Sequence, residues 1–147
     1  MFTHLLVATD GSERSQRAVR HAVDLASKLG ARLTIVTVVS PNVPQIMAEY
    51  PSILEITGDT VGEAIQANAR ACLASAKDIA DELGHQADTF LALNPCPWQG
   101  ILETVSKLGC DGVLMASHGR GGAAAVLLAS ETSKVLTHAH VPVIIVR

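Results

Sequence analysis

A glycine-rich segment near residue 120 carries the residue types that best suit the binding of an anion. Residues 115–122 read Met-Ala-Ser-His-Gly-Arg-Gly-Gly, and Ser130, Glu131 and Thr132 follow eight residues later. The segment follows a short apolar run and precedes a helical pattern. Glycines let a backbone approach a phosphate closely, and the free N–H groups of a helix start point toward it. From these residues alone, a phosphate site and a flexible surface turn are equally good interpretations.

Asp10 is a second candidate because it directly follows Leu5 to Ala8, an apolar run typical of a buried strand. Gly11 and Ser12 come next, and serine is a favoured N-cap residue for a helix. Asp10 therefore has two interpretations: it binds a ligand, or it caps the following helix, a role that Ser12 could also fill.

The elements that position these residues alternate along the chain. Apolar and β-branched runs predict five strands, at Leu5–Ala8, Leu33–Val39, Ala87–Leu93, Gly112–Ala116 and Val141–Val146. Helical spacing and stop signals predict four helices: from the Ser12 cap to Gly30, from about Thr60 to Gly84, from Pro97 to Gly109, and from about Ser130 to His138. We expect Ser40–Asp59 to be a long loop, with a helical turn near Ile46 and Met47, and to be mobile without ligand.

Strict alternation of strands and helices predicts a parallel sheet covered on both faces. The fold class is therefore α/β, a doubly wound five-stranded sheet. Ligands of such sheets bind in the crevice outside the carboxyl ends of the strands, here where the first and fourth strands meet. Asp10 and the glycine-rich segment both come to that place, which favours binding over a surface turn.

Composition narrows the class of protein. The chain has 147 residues, a length typical of one domain, and we expect that domain to span residues 1–147. Apolar residues make up 48% and charged residues 17%, and the net charge of −3 comes without a basic block, so we expect neither nucleic acid nor a membrane as a partner. The start of the chain has no signal-peptide pattern, and its three cysteines include no CxxC pair, so we expect a reducing cytoplasm.

Three segments together resemble the single-domain universal stress proteins. They are Ala8-Thr9-Asp10-Gly11-Ser12, the run from Asp111 to Gly119, and Val141-Pro142-Val143-Ile144-Ile145-Val146-Arg147. The resemblance implies a Rossmann-like sheet of order 3-2-1-4-5 and a homodimer paired through the last strands. It also implies an adenine nucleotide, ATP or AMP, as the ligand.

Nucleotide-binding members of that family carry Gly-x2-Gly-x9-Gly-[Ser/Thr]. In this chain Ala116 takes the first glycine position, Gly119 the second, Ala129 the third and Ser130 the hydroxyl position. If a glycine of the motif has a positive φ, alanine there costs about 1–2 kcal/mol. At an ordinary φ the change is a methyl group facing the ligand. We predict weakened or altered nucleotide binding rather than none.

The resemblance also assigns roles. Asp10, flanked by Ala8 and Thr9, would hold the adenine or ribose end, and we favour this over helix capping. Val38 would pack on the adenine; the alternatives are that it belongs only to the core, or that it does both. The resemblance further implies that Met115 and Ala116 line the base pocket, that Ser117, His118 and Gly119 wrap the ribose and phosphates, and that Ser130, with Glu131 and Thr132 behind it, offers hydroxyl and N–H groups to the phosphates. Gly122 and Ala129 complete the implied binding residues. The negative charge of Glu131 would repel phosphate unless Mg²⁺ lies between them, and Arg120 either offsets that charge or is a solvated loop arginine.

Catalysis has little support in the sequence. No Walker lysine, catalytic base or metal-binding carboxylate cluster appears, and His118 has no second group placed to orient it. We therefore predict a stress-response or signalling protein that binds its nucleotide with little or no hydrolysis, at most a weak ATPase. The alternative is a member of the same family that binds no nucleotide and acts through protein partners, which the sequence does not identify.

Two other classes are excluded by the residues at the ends of the predicted strands. Adenylating enzymes of related fold use a Ser-Gly-Gly-x-Asp-Ser loop after the first strand, which the Asp10–Glu13 segment does not match. Response-regulator receivers need an acidic pair after the first strand, an aspartate after the third and a lysine after the fifth. Here Asp10 stands alone, Asn94 follows the third strand and Arg147 follows the fifth.

The last strand predicts a dimer on physical grounds as well. Val141–Val146 is nearly all β-branched, and such a strand at a sheet edge aggregates unless it is paired. Pairing with its symmetry mate would bury it and close the assembly. Pro142 cannot donate a ladder hydrogen bond, so we expect its nitrogen side to face away from one partner.

Overall fold

The computed structural model describes residues 1–41, 51–117 and 123–147, with side chains for 1–41, 62–117 and 131–147. The strands are β1 (His4–Ala8), β2 (Arg32–Val39), β3 (Ala87–Leu93), β4 (Gly112–Ala116) and β5 (Val143–Val146). The helices of the described residues are α1 (Glu13–Leu29), α2 (Pro51–Glu82), α3 (Pro97–Leu108) and α4 (Ala123–His138).

The five strands form one parallel sheet in the order β3-β2-β1-β4-β5. This confirms the predicted class and strand order. In the register of β1 with β4, Leu5 lies opposite Gly112 and Val7 opposite Leu114. The residues that follow β1 and β4 therefore leave the sheet side by side, which is where the strand order reverses.

Local sequence signals account for α1 at both ends. The Ser12 hydroxyl accepts a hydrogen bond from the Ser15 N–H over 3.2 Å, as an N-cap side chain does. Gly30 ends the helix with φ of 64°, a left-handed conformation that costs glycine little. Both ends agree with the predicted ones, as do the bounds of β3 and β4.

Alternation along the strands divides the core between the two faces of the sheet. Leu5, Val7 and Leu114 belong to the cluster that packs on α1 and α2. Leu6 and Met115, among others, belong to the opposite cluster, which includes residues of α3 and α4. Because both faces are covered, the strands are apolar at successive positions, as buried parallel strands are.

The predicted loop Ser40–Asp59 is wrong over its second part, because α2 begins at Pro51 and not near Thr60. Proline is well suited to the first turn of a helix, where its missing N–H would have no partner and its fixed φ is already helical. The prediction placed Pro51 in a loop instead. The turn expected near Ile46 and Met47 lies outside the described residues.

The start predicted for the last helix is also wrong. That helix begins at Ala123, seven residues before Ser130, and its first residues are alanine, valine and leucine. Alanine and leucine are strong helix formers, and they extend the helix through a segment predicted as loop. Ser130 therefore lies inside α4, and its N–H is not one of the free groups of a helix start.

The last strand is shorter than expected, since β5 starts at Val143 rather than Val141. Pro142 has no N–H for the ladder, but its carbonyl accepts a hydrogen bond from the Val113 N–H over 3.0 Å. The strand lies at an edge of the sheet, as pairing with a second copy requires.

Candidate functional site

The turn after β1 holds Asp10 in a fixed setting. Its Oδ1 accepts a hydrogen bond from the Ser12 N–H over 2.9 Å, and its own N–H donates to the Ser15 hydroxyl over 3.3 Å. Partial burial acts to raise the pKa of Asp10, but the hydrogen bonds from Ser12 and Ser15 outweigh it and lower the pKa. A half-buried carboxylate thus stays ionised at the carboxyl end of β1.

Thr9 stabilises the turn after β1 through its hydrogen bonds. It is buried, and its hydroxyl lies 3.0 Å from that of Ser15 and accepts the Gly11 N–H over 3.2 Å. Its carbonyl accepts the Thr37 hydroxyl over 2.8 Å. Gly11 has φ of 79°, which only glycine adopts readily. With its side chain engaged inside the turn, Thr9 positions Asp10.

Val38, near the end of β2, forms part of the wall of the predicted crevice on that side. It is half-buried and packs with the cluster that contains α3. A methyl group added at Gly100 of α3 would lie 2.7 Å from Val38 Cγ1 and 3.1 Å from the Cβ atom of Asn94. The glycine therefore lets α3 approach β2 closely and sets the position of the Val38 side chain.

The end of β4 is more enclosed than the end of β1. Met115 and Ala116 are 3% and 8% exposed, and Ser117 is half-buried. The Ser117 N–H donates to the Val146 carbonyl over 2.9 Å, which continues the pairing of β4 with β5. Met115 and Ala116 thus belong to the core, and Ser117 is the first residue of β4's end with appreciable exposure.

The two alanines of the glycine motif occupy ordinary backbone conformations. Ala116 ends β4 and Ala129 lies within α4. Within the described ranges no residue other than glycine has a positive φ. The backbone strain considered for alanine at these positions does not arise, and the change is confined to a methyl group.

Thr132 and Glu131 make contacts within the protein. The buried Thr132 hydroxyl donates to the Ala116 carbonyl over 3.3 Å and so ties α4 to the end of β4. Glu131 Oε2 accepts the Trp98 N–H over 2.9 Å, and its Oε1 lies 3.0 Å from Lys134 Nζ. These contacts explain why an acidic residue can lie beside the predicted phosphate site: the negative charge of Glu131 is compensated by Lys134 and by the N-terminus of α3.

The Glu131 contact supplies a cap that α3 lacks locally. The N-cap residue of α3 is Cys96, whose side chain makes no capping hydrogen bond. Trp98 also stacks on His138, with ring centroids 4.7 Å apart. The stacking joins α3 to α4 a second time. No sequence signal near either helix predicts the Glu131 contact.

A cavity of about 800 Å³ lies at the carboxyl ends of β4 and β5, between α1 and α4. Of the predicted site residues, Ser117 and Thr132 line it. Its other lining residues are Arg14, Arg17, Leu136, Ile145 and Arg147. Sequence reasoning missed these three arginines, because they lie on α1 and after β5 and share no motif.

Several predicted contacts lie outside the part of the chain that the structure describes. They are His118, Gly119, Arg120 and Gly122, together with the side chains of Ala129 and Ser130. In the described residues no group of three or more histidine, cysteine, aspartate or glutamate side chains could hold a metal ion. None of the described helices has the length and apolarity to span a membrane.

Comparison with known proteins agrees with this architecture. The model of the universal stress protein family matches residues 1–147. The universal stress protein YxiE of Bacillus subtilis is 32% identical, over the whole of both chains. A universal stress protein solved in complex with cAMP is 26% identical with a TM-score of 0.73, covering 99% of this chain and 97% of that one. UspA from Lactobacillus plantarum, 23% identical, has the same fold with a TM-score of 0.79 over 99% and 97% of the two chains.

Proposed function

This chain belongs to the universal stress protein family, and we propose that it binds an adenine nucleotide, ATP or AMP, in the crevice between β1 and β4. Bound nucleotide would act as a stress-response or signalling input, with little or no hydrolysis. The observation that carries the proposal is the ionised, half-buried Asp10 at the carboxyl end of β1, beside the end of β4. A similar family member was solved with cAMP, itself an adenine nucleotide.

The proposed pose depends on the walls of the crevice. A carboxylate held by the Ser12 N–H can accept hydrogen bonds from ribose hydroxyls or the adenine amino group. The half-buried Val38 offers an apolar surface for the adenine ring. Ala116 at its ordinary φ narrows the pocket by one methyl group, so we propose reduced rather than abolished affinity.

The decisive experiment begins with the nucleotide content of the purified protein. Denatured protein is examined for released small molecules by mass spectrometry, and ATP and AMP are then titrated by calorimetry with and without Mg²⁺. We expect Asp10→Asn to weaken nucleotide binding at least tenfold. Asp78→Asn on the exposed surface of α2 is the matched control, and it should leave affinity unchanged. No released nucleotide and no heat at millimolar ATP would overturn the proposal.

A second proposal concerns assembly. β5 is an edge strand whose four residues are all half-exposed, so its outer side can pair with another strand. We propose a homodimer formed through Val141–Val146, as the family resemblance implies. This surface also keeps open the alternative function, in which the protein acts through protein partners without a nucleotide.

We propose a cytoplasmic location because the cysteines form no disulfide bond in the described residues. Cys72, Cys96 and Cys110 are all free, as is usual in a reducing compartment. Burial raises the pKa of the Cys110 thiol to about 11, so that thiol stays protonated and unreactive. Fractionation of cells expressing the tagged protein would test the location, and recovery from an oxidising compartment would contradict it.

A further inference from the structure

Three arginines converge on the cavity at the carboxyl ends of β4 and β5. Arg14 and Arg17 come from the first two turns of α1, and Arg147 follows β5. In the described part of the chain, the ion pair made by these arginines joins Arg17 to Glu13, at 4.0 Å and with both side chains more than half exposed. Glu13 balances one of the three guanidinium groups, so the lining of the cavity keeps an excess of positive charge in a chain whose net charge is −3.

The cavity has the size and lining of a ligand site. Its volume of about 800 Å³ lies within the range of small-molecule pockets. Leu136 and Ile145 supply apolar surface, and Ser117 and Thr132 are polar residues of the lining. Guanidinium groups present several N–H donors in a plane and bind phosphate oxygens in pairs. Three of them around one cavity suit a ligand with more than one phosphate.

We propose that Arg14, Arg17 and Arg147 form a polyphosphate-binding site at the carboxyl end of β5. The site adjoins the proposed nucleotide crevice, since Ser117 lines the cavity and follows the end of β4. It does not require that crevice to be occupied. Either the terminal phosphates of a bound nucleotide or a separate polyphosphate compound would supply the ligand.

The spacing of the sheet allows one nucleotide to reach both places. Val38 lies on β2 and Arg147 follows β5, three strand positions away in the order β2-β1-β4-β5. Neighbouring strands are about 4.8 Å apart, so the two strands lie roughly 14 Å apart across the sheet. A nucleotide with its base at Val38 would extend its phosphates toward the arginines.

Calorimetry with inorganic tripolyphosphate tests the site directly. The double variant Arg14→Gln with Arg17→Gln is compared with Arg20→Gln with Arg70→Gln, which removes the same charge at two exposed arginines that do not line the cavity. We expect the first variant to weaken tripolyphosphate binding at least tenfold and the second less than twofold, with unchanged thermal unfolding. Failure of the native protein to bind tripolyphosphate, or equal losses in both variants, would overturn the proposal.

Titrations of ATP and AMP separate the two sources of phosphate. If the nucleotide's own phosphates occupy the cavity, the Arg14/Arg17 variant loses ATP affinity at least tenfold and AMP affinity less than twofold. If a separate compound occupies it, tripolyphosphate still binds to protein saturated with ATP. Should the native protein bind tripolyphosphate but neither nucleotide, the proposed function fails while the polyphosphate site stands.

Discussion

Glu131 Oε2 accepts a hydrogen bond from the backbone N–H of Trp98 over 2.9 Å, so a side chain of α4 caps the first turn of α3. The stacked rings of Trp98 and His138 join the same two helices. α3 packs on β2 and α4 is tied to the end of β4, which places this junction behind both walls of the proposed crevice.

We expect Glu131→Ala to lower the free energy of unfolding by about 1–2 kcal/mol, because the α3 N-terminus would lose its acceptor and its favourable charge. Glu131→Gln keeps an acceptor oxygen and should lose less. Urea unfolding at neutral pH measures both. Glu82→Ala, at the exposed end of α2, serves as the control; an equal loss in Glu82→Ala and Glu131→Ala would contradict the capping role.

Gly100→Ala should disturb both stability and nucleotide affinity. The added Cβ would lie 2.7 Å from Val38 Cγ1, so α3 or Val38 must shift, at a cost of about 1–3 kcal/mol. Gly62→Ala in α2 meets no atom within 4 Å, and it should stabilise the protein by about 0.5–1 kcal/mol. Thermal unfolding and AMP titration of the two variants provide the test, and AMP affinity unaltered by Gly100→Ala would argue against Val38 as the adenine wall.

Asp111 lies at the opposite end of the sheet from the proposed site, and its carboxylate should make the free energy of unfolding depend on pH. Partial burial acts to raise its pKa, but hydrogen bonds from Thr3 and from the His4 N–H outweigh burial and lower the pKa. Because the folded pKa lies below the unfolded one, the carboxylate stabilises the protein above the unfolded pKa of about 3.9, and this contribution is lost as the pH falls through the folded pKa.

The variant Asp111→Ala should therefore be less stable than the native protein at pH 7 and approach it in stability as the pH falls below about 3.9. Denaturant unfolding at pH 7, 5 and 3 would show this convergence. Asp24→Ala, whose carboxylate forms an exposed ion pair with Lys28, is the comparison. A stability gap for Asp111→Ala that stays constant with pH would contradict the assigned hydrogen-bonding role.

Ile144→Lys should give monomer or insoluble protein if β5 pairs with its symmetry mate. A lysine at the centre of that edge would place a charge in the interface or against the apolar residues that Ile144 contacts. Thr89→Lys, at an exposed position on the β3 edge, is the matched control and should leave the assembly unchanged. Light scattering that finds a stable soluble dimer for Ile144→Lys would count against this interface.

Much of the fold was predictable because its determinants are local. The Ser12 cap, the Gly30 stop and the apolar runs of β3 and β4 all act through residues a few positions apart. The errors fell where a local signal has two meanings. Pro51 can end a loop or begin a helix, and residues 123–129 were predicted as part of a loop although alanine and leucine favour a helix.

The candidate site, too, was predictable only in part. The crevice at the ends of β1 and β4 was predictable, because alternation of strands and helices indicates a doubly wound parallel sheet, and ligands of such sheets bind outside the carboxyl ends of the strands. The full strand order was implied by the family resemblance. The extended conformation of Ala116 was predictable, because the predicted fourth strand ends at this residue. The helical conformation of Ala129 was not, because the last helix was predicted to begin one residue later, at about Ser130.

By itself, the sequence determined the α/β class and the placement of Asp10 beside the end of β4, while the resemblance of three of its segments to a known family implied the strand order. Periodicity, capping and chain connectivity suffice for the class and for the place of Asp10, because each depends on neighbours along the chain or on the handedness of crossovers. Only the tertiary structure decided that Glu131 caps a helix that begins more than 30 residues earlier, and that two arginines of α1 share one cavity with the arginine that follows β5. Such contacts depend on how the helices pack on the sheet, and no residue spacing in the sequence shows which distant residues that packing brings together.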